Sequence, residues 1–121
     1  MGVGHKVMVV DDHDLVRSML CAKFRDQGFE VCDAVNGLDA VERAPEQAPD
    51  VIVLDLAMPM MNGLEAAHVL KQLMPQVRMV MFTNNAGPAV EREAHSSGIS
   101  SVYSKSDSAD LLVAWVRAQL G

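Results

Sequence analysis

Short apolar runs alternate along this chain with stretches of helical spacing, and that alternation leaves few folds open. The runs are Lys6–Val10, Phe29–Ala34, Val51–Leu54, Val77–Phe82 and Ser101–Ser104. Runs of this length, rich in Val and bounded by Asp, Gly or Pro, predict buried strands. Between them Leu15, Val16, Met19, Leu20 and Phe24 recur at helical spacing, as do Leu111, Leu112, Trp115 and Val116. Gly28 and Gly98 stand where a left-handed helix cap is expected, Asn36-Gly37 marks a turn, and Pro75 stops a helix after Leu73. Five strands alternating with five helices predict an α/β fold, a doubly wound parallel sheet with helices on both faces. Val51–Leu54 is apolar throughout and belongs at the centre, while the more polar runs belong outside.

Composition narrows the class further. With 121 residues, half of them apolar, the chain matches one domain able to bury a core without staples, and residues 1–121 read as a single unit. Disorder is excluded by the same apolar content. The pure apolar runs Val7–Val10 and Val51–Leu54 are far shorter than the roughly 20 residues a bilayer demands, so no membrane association is expected. Ten basic against 16 acidic residues give a charge of −6, which repels phosphate backbones and argues against direct nucleic-acid binding by this segment. Cys21 and Cys32 lack metal-ligand spacing and read as small thiols of a reducing cytoplasm. No signal-peptide core opens the chain, and Lys6 stands where myristoylation needs Ser or Thr, so a cytoplasmic location is expected.

In an open parallel sheet, ligands bind beyond the carboxyl ends of the strands, where strand order reverses. Four predicted strands end there in a reactive group: Asp11-Asp12, Asp55, Thr83 and Lys105. Each has an ordinary explanation alone, as helix cap, turn former, β-branched strand residue or solvated amine. Together on one edge they do not. Converging carboxylates repel unless a cation relieves them, and hard oxygen ligands with room for water suit Mg²⁺. Lys105 adds a fixed positive charge and Thr83 a hydroxyl donor, both suited to an anionic group near the metal. Asp55, ending the central strand, is the natural nucleophile for phosphoryl transfer.

The residues that carry this chemistry also carry a resemblance that spans the whole chain. Val9-Val10-Asp11-Asp12-His13, Leu54-Asp55-Leu56-Ala57-Met58-Pro59-Met60-Met61-Asn62-Gly63, Phe82-Thr83 and Tyr103-Ser104-Lys105 resemble the receiver domain of two-component response regulators, related to the bacterial chemotaxis regulator. Asp55 to Gly63 matches that family's Asp-x-x-Met-Pro-x-Met-x-Gly loop at every specified position. Asp11-Asp12-His13-Asp14-Leu15-Val16-Arg17 and Lys105-Ser106-Asp107-Ser108 look most similar to the NarL/LuxR subfamily.

The resemblance implies a flavodoxin-like strand order 2-1-3-4-5, with the site at the junction of the first and third strands. It implies Asp55 as phosphoacceptor, supplied from a sensor histidine kinase or phosphotransfer protein. Asp12, Asp55 and the carbonyl of Ala57 would bind Mg²⁺ directly, and Asp11 through water. Lys105 would contact the phosphoryl group, and Thr83 and Tyr103 would form a switch pair. The implied output is a conformational change rather than turnover of a free substrate, read by a partner or a second copy at the fourth helix, fifth strand and fifth helix.

Three positions depart from the family's habit. Ala57 offers no side-chain hydrogen bond to an attacking water, Asn84 is larger than the usual neighbour of Thr83, and Ser106 replaces a common Pro. Slow autodephosphorylation is the expectation that follows from the first two. Two rival readings compete with this one. Asp12-His13-Asp14-Leu15-Val16 fits the signature of haloacid-dehalogenase-like phosphatases with Asp12 as nucleophile, but the Asp55–Gly63 match is then unexplained. A phosphorylation-independent adaptor of the same fold usually lacks an acid or the lysine, and all are present here.

Overall fold

A computed structural model describes residues 4–120. The chain runs β1 (Lys6–Val10), α1 (Asp14–Asp26), β2 (Glu30–Ala34), α2 (Gly37–Gln47), β3 (Val51–Leu54), α3 (Gly63–Leu73), β4 (Arg78–Thr83), α4 (Pro88–Ser96), β5 (Ser101–Ser104) and α5 (Ala109–Leu120). All strand pairings are parallel and the order is β2-β1-β3-β4-β5. The all-apolar run is the central strand, as expected, and its four residues are buried on both faces. Among the described residues no helix is long and apolar enough to cross a membrane.

Alternation along the strands divides the interior into two layers. Met8, Val10, Ile52, Leu54, Met79 and Met81 face α2, α3 and α4, which contribute Ala40, Ala44, Ala66, Ala67, Leu70 and Ala94. Val7, Val9, Val51, Val53, Val80 and Phe82 face α1 and α5, which contribute Leu20, Cys21, Phe24, Leu112, Val113 and Val116. Alanine dominates the first layer and larger side chains the second. Both free thiols lie in these layers, Cys21 buried and Cys32 half-buried.

The strand boundaries shift by one residue at two places, for a hydrogen-bonding reason. Phe29 N–H returns to the Phe24 carbonyl at 3.2 Å and closes the end of α1, so β2 begins at Glu30. Val77 N–H bonds Met74 in the turn after α3, so β4 begins at Arg78 and extends through Thr83. Gly28 and Gly98 have φ of 92° and 93°, the left-handed conformation expected after α1 and α4. Asn36-Gly37 is a helix start rather than a free turn. The Asn36 side chain accepts from Asp39 N–H at 2.8 Å and Gly37 opens α2.

Candidate functional site

The ends of β1, β3, β4 and β5 meet at the carboxyl edge of the sheet, where the chain reverses from β2 on one side of β1 to β3 on the other. Backbone ladders continue past the strands and fix the acids. Asp11 N–H bonds Ala34 at 3.3 Å, Asp55 N–H bonds Val10 at 3.0 Å, and Lys105 N–H bonds Thr83 at 2.9 Å. Arg17 holds the β1–α1 connection by donating to the Asp11 carbonyl at 2.8 Å while pairing with Asp14 and Asp33.

Lys105 Nζ bridges the two buried acids, 2.8 Å from Asp11 Oδ2 and 3.2 Å from Asp55 Oδ2. Asp55 Oδ1 accepts from the Leu56 N–H at 2.8 Å. Burial raises the Asp55 carboxyl above its ordinary value, opposed by Lys105 and reinforced by the charge of Asp11. Burial alone would lower the Lys105 ammonium, but its hydrogen bond to Asp11 and the charges of both acids outweigh that and hold it above its ordinary value.

Asp12 completes the group from the solvent side, its side chain 30% exposed. Three carboxylates against one ammonium leave two uncompensated negative charges. That deficit and the all-oxygen acids suit a hard divalent cation. Ligand atoms of Asp11, Asp12, Asp55 and His13 all lie within 4.8 Å of one another. His13 was not among the residues expected here. Its signal in the sequence was only adjacency to the acid pair.

The β3–α3 loop owes its shape to contacts that exclude side chains. A Cβ on Gly63 would collide with the carbonyl oxygen of Asp55, and one on Gly37 with that of Met61. Asn62 and Glu65 form a reciprocal capping box that starts α3. Met58 and Met61 pack into the α2–α3 layer, while Met60 is 76% exposed. Ala57 is exposed on this loop. Asn84 and Asn85 are exposed beyond β4, and Asn85 N–H donates to Thr83 Oγ1 at 3.2 Å. The Lys105–Ser106 peptide bond is trans.

The expected switch residues, Thr83 and Tyr103, stand on the neighbouring strands β4 and β5. Phe82 is paired with Tyr103 and Met81 with Val102. Tyr103 therefore packs with Phe82 in the α1–α5 layer, whereas Thr83 continues the parity of Met79 and Met81 on the opposite face. Val102 packs on that opposite face beside Met81, and Ser104 is the β5 residue paired with Thr83.

The profile of the response regulator receiver domain matches residues 7–117. The chain belongs to this family. The receiver is 34% identical over 110 residues to the transcriptional regulatory protein LnrK of Bacillus subtilis, covering 89% of this chain and 50% of that protein. It is 32% identical over 109 residues to the chemotaxis protein CheY of Bacillus subtilis, covering 89% of this chain and 91% of that one. The receiver thus spans about half the length of LnrK but nearly all of CheY. A solved LuxR-family response regulator from Aurantimonas superposes with a TM-score of 0.91 at 30% identity, over 98% of this chain and 86% of that one. Membership in the family makes the chain a signalling domain of two-component systems, close to the NarL/LuxR group as its β1–α1 residues suggest.

Proposed function

We propose that Asp55 is the phosphoacceptor of this receiver and that Asp11, Asp12, Thr83 and Lys105 serve its phosphorylation. The observation that carries the reading is the buried Asp55 facing the Lys105 ammonium at 3.2 Å, beside two further acids at one sheet edge. An Asp55 carboxylate oxygen bonds to phosphorus as the donor's N–P bond breaks, and the donor imidazole leaves with that electron pair. Lys105 then exchanges a carboxylate partner for a phosphoryl oxygen, offsetting its negative charge. Thr83, fully buried, offers its hydroxyl to the same group. Asp12, Asp55 and the Ala57 carbonyl would hold Mg²⁺, with Asp11 acting through water; bound there, Mg²⁺ neutralises the remaining charge and polarises the phosphoryl oxygens.

The donor in this reading is a sensor histidine kinase or phosphotransfer protein. Residues 1–121 act as one receiver in the cytoplasm, where the thiols of Cys21 and Cys32 stay reduced. The domain promotes its own phosphorylation and dephosphorylation and turns over no free substrate. Output passes through α4, β5 and α5, to a partner or a second copy, with Thr83 and Tyr103 as the switch residues.

Mass spectrometry after incubation with acetyl phosphate and Mg²⁺ tests the assignment. An acid-labile adduct at Asp55, absent from Asp55→Asn, is expected. An adduct at Asp12 would indicate the phosphatase reading instead, and no adduct the adaptor. Persistent labelling of Asp55→Asn at another site would remove Asp55 from its role.

A further inference from the structure

His13 is the residue of the pocket that the phosphoacceptor reading leaves unused. It caps α1 without a side-chain capping bond, and its side chain is 66% exposed. Yet its Nδ1 lies 3.4 Å from Asp11 Oδ1 and 3.4 Å from Asp12 Oδ1. At that separation neither contact is a good hydrogen bond. The separation does suit two ligands of one ion, since adjacent donors at bond lengths near 2.1 Å lie about 3 Å apart.

The donor set matters for which ion is held. An imidazole adds little for Mg²⁺, which keeps its waters, but it is a better ligand for first-row d-block cations, least so for Mn²⁺ and increasingly for Co²⁺ and Ni²⁺. We propose that His13 is an additional ligand of the acidic site and tilts its preference from Mg²⁺ toward d-block divalent cations such as Mn²⁺ and Co²⁺. The inference rests on the acidic pocket being the metal site. His13 would reach the ion from the solvent side. Because Nδ1 already stands beside both acids, ligation requires no rearrangement of them.

The test is binding, free of any phosphorylation readout. Mn²⁺ affinity is measured by electron paramagnetic resonance, Mg²⁺ affinity by competition, and the bound Mn²⁺ is examined for ¹⁴N coupling by pulsed methods. The proteins are the wild type, His13→Phe and Asp12→Asn. The wild type should show the nitrogen coupling and His13→Phe should lose it. The ratio of Mn²⁺ to Mg²⁺ affinity should fall about tenfold in His13→Phe, with Mg²⁺ affinity little changed. Because the ring is exposed and makes no capping bond, His13→Phe should fold normally. Absence of coupling in the wild type, or an unchanged affinity ratio, overturns the His13 assignment while the acidic site stands if Asp12→Asn loses both cations. Undiminished Mn²⁺ and Mg²⁺ binding in Asp12→Asn overturns the acidic site itself, and His13 with it.

Discussion

Neutralising Asp55 should stabilise the fold, because its carboxylate is buried beside Asp11 with one ammonium shared between them. The direction with pH follows from the raised carboxyl. Between the ordinary value near 4 and the higher folded value, the folded state holds more protons than the unfolded state. Wild-type stability therefore falls as pH rises through that window. Asp55→Asn should lack this slope and gain on the order of 1 kcal/mol at pH 7 without divalent cation. Urea unfolding of both proteins from pH 4 to 7 checks this, and parallel curves would contradict it. A second single-residue prediction concerns the lifetime of the phosphorylated state. Hydrolysis needs a water held in line with the Asp55–phosphorus bond, and the exposed Ala57 cannot hold one. Ala57→Asn should speed loss of phosphate several-fold with Mg²⁺ affinity little changed. Decay of phospho-Asp55 at saturating Mg²⁺ measures it, and equal decay would show that position 57 does not limit the water.

Strands and loops account for what the amino-acid pattern revealed and what it concealed. Four-residue Val-rich runs revealed β1 and β3 because burial on both faces demands unbroken apolar residues. The acids, Thr83 and Lys105 were legible for the same reason, since each interrupts or follows such a run. Register was not legible. Whether Val102 or Tyr103 stands on the face of Thr83 depends on how β5 slides along β4, and a one-residue slip exchanges the faces. His13 was hidden because its place depends on the turn between β1 and α1, where Asp11 Oδ1 takes its own N–H at 2.9 Å. The β3–α3 loop supplies a prediction of its own. Gly63→Ala would press a methyl group against the Asp55 carbonyl, costing about 1–3 kcal/mol and displacing the acceptor. Chemical denaturation with a parallel labelling assay should show both losses. Full labelling in a destabilised protein would mean that the loop yields without moving Asp55.

Over the whole molecule, the charge of −6 and the acidic pocket act together. A divalent cation bound only by the folded chain should raise stability by about 2.7 kcal/mol at a hundred times its Kd. Thermal unfolding with and without Mg²⁺ should show a rise of several degrees, lost in Asp12→Asn. A rise that survives Asp12→Asn would come from screening of the general charge. The bridge from Lys105 to Asp11 and Asp55 spans nearly the entire chain, from the first strand to the turn after the last. During synthesis the acids emerge from the ribosome long before their lysine does. A nascent chain can display Asp55 yet lacks its bridging ammonium until residue 105 has cleared the exit tunnel and β5 has docked. Under the role proposed for Asp55, its labelling would wait for β5 to dock and would report an assembled sheet edge.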